Sequence, residues 1–255
     1  MELAEIEAKL AVFADPKFVF EEQRHLYTYD GVRLESGTAI TKKFKKPFDL
    51  EAKSLAAAIR DGKTQQQVKD EWAHNGLVAR TMGTKVHKYI EERYTPGAAL
   101  PRFDDPETNF RIQLFEDVIY PRLAKMTPVR QELRVFSLSK GICGTIDALF
   151  WLEGKLYILD WKTNGDFRLE TDPHFEMLLP PFDNYKEVEH TEYSIQLHLY
   201  KLILAEHGIP VEECAIVSIP PLVGKRKNPM KPQIYKCKNF TPLLEDYFAS
   251  KHPVR

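Results

Sequence analysis

The sequence is short of cysteine, of net charge and of long apolar runs, and each shortage excludes something. Of its 255 residues three are cysteine, Cys143, Cys214 and Cys237, widely spaced and odd in number. A disulfide framework is therefore not expected, and a reducing compartment is. Thirty-six lysines and arginines nearly balance 37 aspartates and glutamates, for a formal net charge of −1. No global field draws the chain toward nucleic acid, so any such surface must be a local patch. No run of about 18 apolar residues occurs, so no membrane span is expected. The start Met1-Glu2-Leu3-Ala4-Glu5 lacks a signal-peptide pattern, and the expected location is cytoplasmic. What is present, 43% hydrophobic and 29% charged, is an ordinary globular composition, long enough for one domain with a sizeable core.

The centre of the chain is Gly141 to Asn164, GICGTIDALFWLEGKLYILDWKTN. Two apolar runs flank the turn residues Glu153-Gly154 and read as paired β-strands. Asp147 falls in the middle of the first, where an unpaired carboxylate is costly. Asp160 and Lys162 close the second, two residues apart and so on one face. Pairing across the turn brings Asp147 close to Asp160. Two such carboxylates repel unless a cation or proton compensates them, and their oxygens suit Mg²⁺ or Mn²⁺. A lysine beside a metal can position a water or offset charge growing on a phosphate. A plain salt bridge from Lys162 to either aspartate is the alternative, but three charged groups converging on apolar strands favour a site.

The pattern Gly144-Thr145-Ile146-Asp147, then Ile158-Leu159-Asp160-Trp161-Lys162-Thr163-Asn164, resembles the PD-(D/E)XK nuclease superfamily in its RecB-like branch. Gly83-Thr84-Lys85-Val86-His87, with Glu91 beyond, resembles that branch's upstream helix, and Gln196 to Tyr200 its downstream Q-x-x-x-Y helix. The mitochondrial genome maintenance exonuclease subgroup and its bacteriophage-encoded relatives are the nearest in flavour, so a phage source is compatible.

The resemblance implies an α/β (α+β) fold, a restriction-endonuclease-like αβββαβ core with a mixed central sheet flanked by helices. Residues 71–255 would form the core, and residues 1–70 a helical and hairpin extension near the cleft. It further implies that His87, Asp147 and Asp160 bind Mg²⁺ or Mn²⁺, with the Trp161 carbonyl as a further ligand and Lys162 acting on the attacking water. Gln196 and Tyr200 would engage a phosphate or base, or orient Lys162. Glu91 would orient His87 or water, or simply pair with Lys88 or Lys85, and Glu132 would have a supporting role. Gly83 would remove bulk where a metal or DNA backbone approaches. Some RecB-like relatives carry an iron–sulfur cluster on four cysteines, which three cannot build, so none is expected.

The expected activity is a metal-dependent deoxyribonuclease, an exonuclease on single-stranded DNA or DNA ends. The alternatives are an inactive nucleic-acid-binding relative and a structure-specific endonuclease. No protein partner is indicated. Two basic clusters are candidates for the DNA backbone: Lys42, Lys43, Lys45 and Lys46, and Lys225, Arg226 and Lys227. Phe44 and Phe48 interleave the first, as base-stacking residues or as anchors to the core.

Several helix boundaries are also legible. Asp49 caps a helix running to Arg60 that Gly62 ends, and Thr64-x-x-Gln67 is a capping box. A separate helix is expected over Leu77 to Tyr94, with Val78, Met82, Val86 and Ile90 inward. Thr191 is expected to cap the helix that runs to His207. Gly165 to His190 has no clear period and is expected to overhang the cleft, with Met177-Leu178-Leu179 as a wedge or a core plug.

Overall fold

The computed structural model describes residues 2–22, 24, 26–165, 167–173, 175–221 and 231–251. Its centre is the expected hairpin, β5 (Ile142–Leu152) and β6 (Lys155–Lys162), antiparallel about Glu153-Gly154. Both turn residues are left-handed, with φ of 49° and 81°, the conformation a two-residue hairpin loop needs. Before them stands β4 (Thr127–Ser137), paired with β5 along nearly its whole length. After β6 a helix, α7 (Glu189–Glu206), crosses over to β7 (Glu213–Ser218), which pairs parallel with β6. Such a connection needs a crossover of this size. The strand β8 (Gln233–Lys236) adds antiparallel to β7, and α8 (Thr241–Lys251) closes the described chain.

The N-terminal third opens with α1 (Leu3–Leu10) and carries α2 (Gly37–Lys42), and its strands belong to the main sheet. The strands β1 (Phe18–Glu21), β2 (Leu26–Tyr29) and β3 (Val32–Ser36) form a meander, and β3 joins β5 in parallel at Glu35↔Ile142 and Ser36↔Cys143. All eight strands make one mixed sheet, ordered β1-β2-β3-β5-β6-β7-β8 with β4 on the other edge of β5. The chain is thus mixed α/β, a central sheet of mixed polarity flanked by helices.

That order leaves a fork. On the edge of β5 away from β4, β3 covers Ile142 and Cys143 and β6 covers Ala148 to Leu152. Among the described residues, Gly144 to Asp147 have no strand neighbour there, because β6 has turned away to follow β7. The side chains of β6 alternate between two cores: Leu156 and Ile158 join the α7 side, and Leu159 and Trp161 the opposite side.

The opposite side is covered by α4 (Gln65–Tyr94), one helix of 30 residues, and by the segment α5 (Pro106–Leu114) and α6 (Tyr120–Leu123) with a π-helical turn between them. The separate helix expected from Leu77 is therefore the second half of α4. Thr64 caps it as expected, and neither Gly76 nor Gly83 interrupts it. The first half of α4 lies against α3 (Leu50–Asp61), whose Asp49 cap and left-handed Gly62 also match expectation. Two details differ. Val188, not Thr191, precedes α7, and the Thr191 hydroxyl donates instead to Glu170 at 2.8 Å. Of the suggested wedge, Leu178 is a core residue and Met177 is exposed.

Candidate metal centre

The fork gathers the candidate site. In the β4–β5 ladder, Gln131↔Ala148 and Leu133↔Ile146 flank Glu132 and Asp147, which therefore lie opposite each other on one face. Like charges in that relation are destabilising. Glu132 also has φ of 48°, the left-handed region that a non-glycine strand residue avoids. Such a backbone costs about 1–3 kcal/mol and persists only where its surroundings enforce it.

Into this pair projects His87 from α4. Its Nδ1 lies 3.6 Å from Asp147 Oδ2 and 3.8 Å from Glu132 Oε1. Its Nε2 donates to the Trp161 carbonyl at 2.9 Å, which fixes the ring and leaves Nδ1 facing the carboxylates. Burial disfavours the imidazolium, but Asp147 and Glu132 outweigh it and the pKa of His87 is raised. Asp147 Oδ2 also accepts the Trp161 amide at 2.8 Å, taking up an N–H that the departing strand has withdrawn from the ladder.

One imidazole and two carboxylates, half-buried, with ligand atoms all within 4.8 Å of one another, form a group able to hold a metal ion. The donor set, oxygen-rich with one nitrogen and no sulfur, fits a hard or borderline divalent cation. Glu132, expected in a supporting role, converges with His87 and Asp147, while Asp160, expected as a ligand, is not among the three. Asp160 is 2% exposed and engages Lys162, its Oδ2 2.7 Å from Nζ, because two residues along one strand face put ammonium and carboxylate side by side. The contact is ionic, and Oδ2 has no hydrogen-bond partner among the described residues. Burial pushes the Asp160 carboxyl up against the pull of Lys162, and Asp147 adds to the rise. Burial alone would lower the Lys162 pKa, but Asp160 and Asp147 raise it, so the ammonium is retained. The Trp161 carbonyl, expected as a ligand, is the acceptor for His87.

The aromatic ring over Lys162 is Tyr193, with Nζ 4.5 Å from its centroid. Tyr193 in turn accepts from Asn164 Nδ2 at 2.6 Å and stacks on Phe167. Tyr200, expected to engage a phosphate or base or to orient Lys162, stands in the core. It is 3% exposed, its hydroxyl accepts from Gln196 Nε2 at 2.9 Å, and its ring packs against Gly37 and Gly144. A Cβ on Gly144 would lie 2.3 Å from that ring. The glycine of the G-T-I-D run and the tyrosine of the downstream helix are therefore two halves of one contact. Gly83 has a similar neighbour: a Cβ there would lie 3.1 Å from Thr163 Oγ1, so the glycine lets α4 approach the residue after β6. Glu91 pairs with Lys88 at 3.1 Å and takes no part in the group.

The first basic cluster is largely neutralised. Lys43 pairs with Glu35, Lys46 with Glu176, and half-buried Lys45 with both Glu187 and Glu192. Exposed pairs exchange partners at little cost, but Lys45 is committed to its two glutamates. Lys42 is exposed and has no ion-pair partner among the described residues. Phe44 is core, against Phe182 and Tyr247, whereas Phe48 is 65% exposed. Lys225, Arg226 and Lys227 lie outside the described residues.

Arg111 was not signalled by sequence. It is 3% exposed and donates to the Thr163 and Ile219 carbonyls at 2.8 and 2.6 Å, tying the ends of β6 and β7 together beside the site. A single arginine on an amphipathic helix carries no mark that distinguishes this from a surface position. The three cysteines are buried and free, and no described helix is long and apolar enough to cross a membrane.

The chain matches no protein-family model and no curated protein.

Proposed function

We propose that the chain is a metal-dependent deoxyribonuclease of the PD-(D/E)XK type with a restriction-endonuclease-like core. One observation carries the reading: at a sheet fork, a strained strand residue holds Glu132 opposite Asp147 with His87 between them, beside a buried lysine. A fold does not retain facing carboxylates and a left-handed glutamate for stability alone.

His87, Glu132 and Asp147 would hold Mg²⁺ or Mn²⁺, with Asp160 at the margin. When bound, that ion lowers the pKa of a coordinated water and polarises the scissile phosphate. The chain's own residues do the rest. Asp160 and Tyr193 keep the Lys162 ammonium in one place, where it donates hydrogen bonds to the attacking water or to a phosphate oxygen. Asp147 is fixed by the Trp161 amide, so its free oxygen has a set direction. Water attacks phosphorus and gives up its proton to solvent, the P–O3′ bond breaks, the departing 3′-oxygen takes a proton from solvent, and a 5′-phosphate remains. Single-stranded DNA or DNA ends are the proposed substrate.

The test is release of nucleotides from end-labelled single-stranded DNA in Mg²⁺ or Mn²⁺, with Lys162→Ala as control. Hydrolysis by the wild type and none by the variant is expected, with Mn²⁺ binding retained by both. No hydrolysis by the wild type with either ion would overturn the reading, and intact DNA binding would then favour the inactive relative. A circular single strand left whole identifies the exonuclease, and one that is cut identifies an endonuclease.

A further inference from the structure

The stripe of α4 that carries His87 continues away from the metal group as Gly83, Arg80, Gly76 and Trp72, at helical spacings of 4, 3, 4 and 4 residues. By the helical rise Arg80 is about 10 Å and Trp72 about 22 Å from His87 along the axis. The neighbouring apolar residues of α4 are covered at both ends of the helix. Val68 is buried with Ala57 and Ala58 of α3, and Met82, Val86 and Ile90 are buried with Phe115, Ile119 and Trp161. Between these packed regions the helix is open: Trp72 is 38% exposed, and Ala79 and Arg80 are exposed.

Three features of this open stretch point to one kind of occupant. Trp72 is paired edge-to-face with Phe48, 6.2 Å between centroids, and Phe48 is more exposed than the tryptophan. Arg80 has no ion-pair partner among the described residues, unlike Lys63 and Lys69 on the same hairpin, which are held by Glu71 and Glu51. Its Nη1 would be 3.4 Å from a Cβ on Gly76, so the guanidinium folds back over the bare glycine toward Trp72. An uncommitted guanidinium two turns along the helix from an exposed aromatic pair offers a phosphate contact and a stacking surface on the line that leads to the metal group.

We infer that Arg80, Trp72 and Phe48 form a binding site for a single nucleic-acid strand, Arg80 taking a phosphate and the two rings an unpaired base several nucleotides from the metal group. This rests on reading the His87 group as the hydrolytic centre. It assigns strand holding to α4 rather than to the neutralised lysines 43, 45 and 46. Base stacking on aromatic rings requires an unpaired base, so the site discriminates single strands from duplex.

The experiment is equilibrium binding of oligo-deoxythymidylate and oligo-uridylate to the full chain in chelator, where hydrolysis is suppressed, read by tryptophan fluorescence and by anisotropy of a labelled strand. Quenching of the wild-type signal is expected, and Trp72→Phe should remove most of it, since Trp161 is buried and half-buried Trp151 packs against the core at the turn end of β5. Trp72→Ala and Phe48→Ala should each weaken binding about tenfold. Arg80→Gln should lower the slope of log affinity against log salt by about 0.7. Duplex of equal length should compete poorly. Whether the site serves DNA or RNA follows from which homopolymer binds tighter.

Unchanged affinity in Trp72→Ala, Phe48→Ala and Arg80→Gln overturns the inference, as does equal competition by duplex. A change of sedimentation mass in Trp72→Ala with strand binding intact also overturns it, because the surface then joins protein to protein. Should Trp72→Ala fail to fold, Trp72→Phe and Arg80→Gln decide alone. Failure of this site and failure of the nuclease reading are told apart by the two readouts: weakened strand binding in a chain that cuts nothing retains the site without the nuclease, whereas normal binding and cutting in the variants removes the site alone.

Discussion

Gly144→Ala is the sharpest test of how the site is built. The added Cβ would meet Tyr200 Cε1 at 2.3 Å and Cζ at 2.6 Å, more than 1 Å inside ordinary contact. The ring has nowhere to retreat. It is 3% exposed, its hydroxyl is bonded to Gln196, and Gly37 approaches it so closely that a Cβ there would be 2.9 Å away. Overpacking of this kind costs about 1–3 kcal/mol, and alanine's gain in chain stiffness recovers only a part. A net loss of about 2 kcal/mol corresponds to a fall in Tm of roughly 4–8 °C for a chain of this size. Thermal unfolding followed by circular dichroism measures it. The companion variant Tyr200→Leu removes the ring, so adding Gly144→Ala to it should cost almost nothing further. A Gly144→Ala midpoint equal to wild type, or the same fall on both backgrounds, refutes the contact. Because Gly144 is three residues from Asp147, a shift of β5 should also loosen metal binding, which titration with Mn²⁺ would read.

Glu132→Gln removes one of two facing carboxylates and should weaken Mn²⁺ binding by at least tenfold in calorimetry, while raising stability without metal; an unchanged isotherm would return Glu132 to a structural role. Tyr193→Phe keeps the ring over Lys162 and should retain most hydrolysis, whereas Tyr193→Leu should lower kcat with little change in KM; equal loss in both variants would point to the Asn164 hydrogen bond instead. Burial holds His198 down at about 4, against an ordinary 6.5, and its Nδ1 donates to the Ser194 carbonyl. The folded state therefore binds fewer protons than the unfolded one between these values, so about 3 kcal/mol of stability present above pH 6.5 is lost as pH falls toward 4. Denaturant midpoints across that range should flatten in His198→Leu, and an undiminished slope would assign the acid sensitivity elsewhere.

Much of the fold could be read from local chemistry. The β5–β6 hairpin declared itself through branched apolar runs and Glu153-Gly154, and α3 through its cap and left-handed glycine, because these signals act within a few residues. The continuity of α4 was hidden at Gly76, which lowers helix propensity, whereas Gly83 lay inside the expected helix and is kept for close approach to Thr163. The union of β1–β3 with the main sheet depends on two pairs, Glu35↔Ile142 and Ser36↔Cys143, more than 100 residues apart, and no local pattern encodes them. The site divides in the same way. Asp147 and Lys162 stood out by residue type and spacing, and His87 through the resemblance of its helix. Glu132 was marked by the resemblance for a supporting role alone, since its left-handed backbone is not written in its neighbours. The basic run at 42–46 looked free because its glutamate partners come from strand β3 and from residues 176–192.

One helix carries both His87 and Trp72, and the geometry of a helix makes it a ruler with a phase. Inserting one residue between Trp72 and Gly83 would turn everything upstream by about 100° about the axis and swing the aromatic pair out of line with the metal group. Inserting four would return it almost to its original heading, displaced outward by about 6 Å. An enzyme whose preferred strand length follows this alternation would be measuring its substrate with its own backbone.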